Sequence, residues 1–375
     1  MRAQSASPSW RARSTKHQGA IAAYDHSMRI LIIGGTGLIS AEFARVCAER
    51  GDQLTLVTRG TSTTASPPAG AHVLHADATD AAAMRSLLRG PRLRGEKWDA
   101  VVQFVAFGPD HVADDVATFA PIAHRYVLVA TAAAYASFER FVPLTEATEQ
   151  RNDFWAYARD KQAAEEALRE HAERAGLAYT IVRPAHTYGD SKIPGYTGVS
   201  RHPWTLIDRM RRGADIIIPG DGTSVWTITH AYDVATAMRG LLDAPAAEGR
   251  SVHVTSDEAL TWMGLHRTIA HAAGLSDHAF EAQVVNMPTA ALVAAMPAQR
   301  GSLYGDKMHG AIYDTSLIKE LVPGWSATIP FAEGVRRAVA AFEARPEWQT
   351  IDDDANAVFD RLGRIYRDAL GAAAT

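Results

Sequence analysis

Residues 29–40 read RILIIGGTGLIS. An apolar run, Ile30 to Ile33, meets Gly34, Gly35 and Gly37, after which Leu38, Ile39 and Ser40 open a helix-like segment. That order predicts a buried strand, a tight turn and a helix. Glycines at such a turn let the backbone approach a pyrophosphate, while the helix N-terminus offers N–H groups and a partial positive charge. Position after a first strand and before a helix is what gives a glycine-rich turn its meaning. Ser40 replaces a third glycine and is small enough to permit close helix packing. Gly34, Thr36, Gly37, Leu38 and Ile39 are therefore candidate dinucleotide contacts.

Downstream, QLTLVTRG, AHVLHADATD, AVVQFVAF, RYVLVATAAAY and YTIVRPAHTYG repeat the apolar character of the first strand, with helical stretches at 38–50, 80–88, 111–124 and 154–175 between them. Val-, Ile- and Leu-rich runs without polar alternation are strands buried on both faces. Their alternation with helices predicts an α/β fold, a Rossmann-type doubly wound parallel sheet. Beyond Gly189 the pattern breaks into a Gly-, Pro- and Ser-containing loop, then a helix at 203–213 and the strand DIIIPGDG. The expected organisation is a flexible extension over 1–27 and a dinucleotide-binding domain over 28–189, to which 229–258 returns. A smaller mixed α/β substrate-binding region is expected over 190–228 and 259–350, and a C-terminal helix over 351–375.

With 375 residues and 47% hydrophobic content, the chain can bury a large core. A formal net charge of −4 gives no electrostatic reason to expect nucleic acid or another polyanion. Cys47 is the single cysteine, which excludes an intramolecular disulfide and a cysteine metal cluster. The fifteen histidines show no ligand spacing such as HExxH, so no metal is expected. No apolar run approaches the roughly 20 residues that span a bilayer. A cytoplasmic protein is expected.

Residues 155–166 read WAYARDKQAAEE. On a helix Tyr157 and Lys161 lie one turn apart, and Ala164 and Leu168 continue their stripe. Lysine on an apolar stripe needs a partner or a task, because burying its ammonium is costly. An exposed Lys161 paired with Glu165 at i+4 is the plain structural alternative. At the end of the second strand Thr58 is followed by Arg59 rather than by an acid. A guanidinium there suits a ribose 2′-phosphate, so charge logic leans to NADP over NAD.

Taken in order, GGTGLIS at 34–40, Asp77 in HADATD, QFVAF at 103–107, Thr131 in VATAAAY, YARDK at 157–161 and RPAHTYG at 183–189 resemble the extended short-chain dehydrogenase/reductase superfamily, specifically its NAD-dependent epimerases and dehydratases. The resemblance runs from Met28 to about residue 240. It implies that Gly34, Gly37 and Ser40 face the pyrophosphate and Asp77 the adenine. Ala78, Phe104, Val105, Ala106 and Pro184 are further cofactor contacts on the same basis. It also implies a catalytic set of Thr131, Tyr157 and Lys161. An ammonium and a nicotinamide cation beside the phenol are expected to favour tyrosinate. Lys161 would also anchor the ribose, and a homodimer through the 154–175 helix is expected.

Three departures bear on substrate. Dehydratases of this superfamily carry an Asp-Glu pair where this chain has Ala132 and Ala133, so sugar dehydration of that type is not expected. His186 replaces an asparagine common in nucleotide-sugar enzymes, and Trp226 replaces an arginine that grips a substrate diphosphate. Ala132, His186, Arg201 and Trp226 are candidate substrate contacts, and Arg201, His202 or Lys307 could supply the missing charge. The expected function is an NAD(P)-dependent epimerase of a sugar or sugar-like polyol. An NADPH-dependent ketoreductase or alcohol dehydrogenase would use the same residues. The VTRG strand end also resembles the chloroplast stem-loop RNA-binding branch of the superfamily, which makes a non-catalytic RNA-binding or regulatory role the reading from another class.

Overall fold

A computed structural model describes residues 27–61, 65–89, 97–135, 142–196 and 202–373. Residues 1–26 of the expected extension, and Arg201, lie outside the described residues. The chain begins with β1 (Arg29–Ile33), α1 (Leu38–Glu49), β2 (Gln53–Thr58), β3 (His72–His75), α2 (Ala81–Leu88), β4 (Trp98–Gln103), α3 (Pro109–Phe119) and β5 (Ala123–Val129). It continues with α4 (Ala156–Ala175), β6 (Ala178–Pro184), β7 (His186–Tyr188), α5 (Trp204–Arg211), β8 (Ile216–Pro219), β9 (Val225–His230), α6 (Ala231–Leu242) and β10 (Ser251–Val254). Two short strands, β11 (Ala259–Thr261) and β12 (Val284–Met287), and several helices complete it, among them the terminal helix Asp353–Ala373.

Seven strands form one parallel sheet in the order β10-β6-β5-β4-β1-β2-β3. This is the Rossmann-type doubly wound sheet. Successive residues of one strand serve opposite faces: Ile30 and Ile32 pack with Phe43 and Cys47 of α1 and Met238 of α6, whereas Leu31 and Ile33 pack with Met84, Val112, Val116 and Leu168 of α2, α3 and α4. Helices on both faces explain why the strand sequences are apolar without alternation. Strand order reverses between β1 and β4, and the cleft opens at the carboxyl ends there, where α/β sheets bind ligands.

Two stretches read as single strands are divided. RPAHTYG leaves the main sheet after Pro184, and β7 pairs instead with β9, which pairs in turn with β11. RYVLVATAAAY ends as a strand at Val129, and Ala132–Ala134 forms a 3₁₀ turn capped by the Thr131 side chain. The α3 helix ends at Phe119, short of the expected 124, because β5 has begun by Ala123. A third core, with Trp204, Trp226, Trp262 and Phe342, lies under the smaller sheets.

The sheet and α4 are joined by a buried ion pair. Arg183 on β6 donates from Nε and one terminal nitrogen to the two oxygens of Glu165 on α4, at 2.9 and 2.6 Å. Both side chains are almost fully buried. Glu165 therefore does not pair with Lys161; its carboxylate also accepts from Arg169 and Gln150. Removing one partner of a buried pair leaves an uncompensated charge. Glu165→Gln should lower unfolding free energy by about 3–5 kcal/mol in a urea titration; a loss near zero would show that the pair is dispensable.

Candidate active site

The sequence 34–40 builds the floor of the cleft. Gly34 and Gly35 take φ of +112° and +91°, and a Cβ on Gly35 would lie 2.7 Å from the Leu56 side chain. Gly34 N–H donates to the Val57 carbonyl, fixing the turn on β2, and Gly37 N–H donates to Ser40 Oγ at 3.0 Å. The N-cap residue, Gly37, has no side chain to accept from the first turn of α1. Among the described residues, the N–H groups of Leu38 and Ile39 have no protein acceptor. That cradle fits a dinucleotide pyrophosphate by its chemistry, since first-turn amides favour an anion.

A second loop, Phe104–Gly108, forms the adjoining wall. Phe104 N–H donates to the Ile33 carbonyl, and Val105 N–H to Gln103 Oε1. Gln103 Nε2 and the Tyr126 hydroxyl both donate to Asp115 at 2.7 Å, and burial raises that carboxyl to about 6. At the outer end Arg59 is exposed beside Asp77, whose carboxylate accepts from Thr79 N–H and Oγ1. These hydrogen bonds hold Asp77 below the usual carboxylate range, and Arg59 reinforces them.

Gly34, Thr36, Gly37, Leu38, Ile39, Arg59, Asp77, Ala78, Phe104, Val105, Thr131, Tyr157, Lys161, Pro184, His186 and Trp226 all line one continuous cleft of about 930 Å³. Two candidates do not. Ala106 points into the core and offers only its carbonyl, to Lys161. Ala132 is wholly buried because the 3₁₀ turn sends its methyl inward, and Ala133 faces the cleft instead. His202 turns away to bond Thr350 at 2.8 Å.

Lys161 is 2% exposed, and its ammonium donates to the carbonyls of Ala106 at 2.7 Å and Val129 at 2.9 Å, under the Phe107 ring at 4.5 Å. Two of its three donors are used, which leaves one for a ribose hydroxyl. Burial lowers its pKa to about 8. Tyr157, one turn earlier, lines the cleft together with Thr131, whose Oγ1 accepts from Ala133 N–H. The chain's own groups raise the phenol: burial comes first, joined by the Asp306 carboxylate and opposed by the Thr131 hydroxyl.

Apart from Lys307, named above as a possible source of charge, three features escaped the sequence reading. Asn152, 2% exposed, accepts from the N–H of Trp155 at the start of α4 and donates to the carbonyls of Ala133 and Gly305 at 2.9 and 2.7 Å. It joins the 3₁₀ turn, α4 and the π-helical turn Leu303–Lys307. That turn carries Asp306 and Lys307 to the cleft, with Lys307 Nζ 3.1 Å from Asp306. Lys192 and Tyr196 arrive from the loop after β7. The only sequence signal for the turn was Gly305, where a Cβ would meet Asn152 Oδ1 at 2.5 Å.

A family model for the NAD-dependent epimerase/dehydratase family matches residues 30–254. The chain belongs to that family. By its description, that family comprises NAD-dependent epimerases and dehydratases. The chain is 26% identical over 258 residues to the chloroplast stem-loop binding protein of 41 kDa b from Arabidopsis thaliana, a match covering 66% of this chain and 64% of that protein. It is 26% identical over 250 residues to 2′-dehydrokanamycin reductase from Streptomyces kanamyceticus, covering 67% and 68%. The fold matches an epimerase from Methanothermobacter thermautotrophicus with a TM-score of 0.70 at 15% identity, over 86% of this chain and 94% of that one. Among the described residues no helix is long and apolar enough to cross a membrane, and no group of side chains could hold a metal ion.

The buried ammonium makes a pH prediction. Folding lowers the Lys161 pKa from 10.5 to about 8, so the cost of burying its charge is present in full below pH 8 and is relieved between pH 8 and 10.5. Relative to Lys161→Met, the wild type should therefore gain stability across that window in urea titrations. A flat difference would mean that the ammonium is not desolvated.

Proposed function

We propose that the family member described here is an epimerase of a sugar or sugar-like polyol, acting through a transient ketone. The observation that carries the reading is that Thr131 and Tyr157 line one cleft beside a Lys161 ammonium clamped by two carbonyls. A bound nicotinamide dinucleotide supplies the redox chemistry at the carbinol carbon. Gly34, Gly37, Leu38 and Ile39 would hold its pyrophosphate, Asp77 and Ala78 its adenine, and Lys161 its ribose.

In this reading Tyr157 takes the proton of the substrate hydroxyl and later returns it to the same oxygen. Thr131 holds that oxygen in line with the phenol. The raised phenol stays protonated and holds its proton tightly, so positive charge brought close to it must favour the proton-accepting tyrosinate. Lys161, held beside α4 by fixed carbonyls, is placed to contribute. Ala133 presents no carboxylate to the substrate, which removes an acid and base for water elimination.

Arg59 favours a second reading, a net ketoreductase that exchanges NADPH, because its exposed guanidinium stands at the ribose end of the cleft. The similarity to 2′-dehydrokanamycin reductase is in keeping with that alternative. An RNA-binding role, suggested by the stem-loop binding relative, gives Thr131, Tyr157 and Lys161 no task.

Denaturing protein purified without added cofactor should release stoichiometric NAD, identified by mass and absorbance. An empty protein stabilised by NADPH would favour the reductase instead. Tyr157→Phe is expected to lower turnover by about 10²–10⁴-fold while dinucleotide binding persists. Turnover unchanged by that substitution would overturn both enzymatic readings.

A further inference from the structure

The substrate end of the cleft is unusually rich in unpaired donors. Lys192 and Lys307 both line it, and each repels positive charge on the other's neighbourhood: both act on His186, and Lys307 acts on Lys192. Lys307 Nζ lies 5.1 Å from the centre of the Trp226 ring and 3.1 Å from Asp306. Among the described residues, the Lys192 ammonium has neither a hydrogen bond nor an ion pair. Lys307 takes the Asp306 carboxylate, and the Lys192 ammonium has no partner among the described residues.

Two residues of the same cleft also carry buried polar atoms that have no hydrogen-bond partner among the described residues. Trp226, 3% exposed, leaves its indole N–H unpaired, and Tyr196, 4% exposed, leaves its hydroxyl unpaired. Both line the cleft. The His186 ring, edge-on to Trp226 and Trp262, leaves Nε2 unpaired and is held neutral by burial and by the two lysines. An unpaired buried donor and an uncompensated buried cation each cost free energy, and a ligand oxyanion answers both.

We propose that the substrate carries an oxyanion on its sugar-like skeleton, a carboxylate or a phosphate ester, seated between Lys192 and Lys307 with Trp226 and Tyr196 donating to it. The proposal rests on the reading of Tyr157 as the proton carrier. Asp306 ties the two regions together, since its carboxylate pairs with Lys307 and is close enough to act on Tyr157. The anion therefore belongs near the reacting carbon, on the sugar itself, and not at the far end of a nucleotide diphosphate.

Calorimetry on the full-length, NAD-loaded protein tests this, with glucuronate, glucose 6-phosphate, glucose and UDP as probes. One of the two sugar anions should bind at least tenfold more tightly than glucose, and which one does identifies the oxyanion. Lys192→Met and Lys307→Met should each abolish that preference, while Lys192→Arg retains most of it, with folding checked by thermal denaturation. Equal binding of glucose and the anions, no binding of any sugar probe, or a preference that survives in both Met variants would overturn the proposal. Tight binding of UDP alone would overturn it in favour of a remote diphosphate. Tyr157→Phe should keep the anion preference, so unchanged turnover in that variant would refute the proton-carrier reading without touching the lysine site.

Discussion

A buried ammonium governs the arrangement. Lys161 can sit 2% exposed only because the carbonyls of Ala106 and Val129 accept from it. Those carbonyls belong to the segments leaving β4 and β5 at their carboxyl ends. Donating to both fixes α4 against the mouth of the cleft at one height. Tyr157, one turn earlier on the same stripe, is then carried to Thr131. A lysine shifted by one position would face another side of the helix and could not reach both carbonyls. The helix register, the phenol and the cofactor wall thus share one electrostatic requirement.

That requirement is supported from further along α4 and from beyond its start. One turn on, Glu165 binds Arg183 of β6, and the pair resists sliding of helix against sheet. At the N-terminus Asn152 does what a capping side chain would do, and it spends its amide on two carbonyls from other elements. The 3₁₀ turn that bears Thr131 and the π-helical turn that bears Asp306 are thereby referred to one origin. Removing any of these ties would let the phenol, the hydroxyl and the carboxylate move independently.

The dinucleotide half was legible because its constraints are local. A strand buried on both faces, a turn needing positive φ and a helix start are properties of neighbouring residues, so RILIIGGTGLIS declares them. The YARDK spacing likewise shows one helical face. Lys161 and Glu165 illustrate the limit of that reading: four residues apart, they suggest a surface pair, yet each finds its partner more than fifteen residues away. Ala132 and Ala133 are adjacent and chemically equal, and only the 3₁₀ turn decides which faces the cleft. Lys192, Asp306 and Lys307 lie in segments without period, where Gly305 hints at close approach but not at what approaches.

This division of legibility follows from the way the two halves bind. The cofactor half uses backbone amides and glycines, whose position is set by the sheet and tolerates little change. In the proposed reading the substrate half would use long side chains from a loop and a π-helical turn, beside strands that supply Trp226, His186 and Thr187 as walls. An indole offers a single donor and a face on which a cation can rest, so the Lys307 ammonium lies over the ring where Trp226 forms the wall. On that proposal, charge recognition lies at the periphery of the strand framework. Substrate preference can then change by substitution at a few peripheral positions while Lys161 and its two carbonyls hold the redox geometry unchanged.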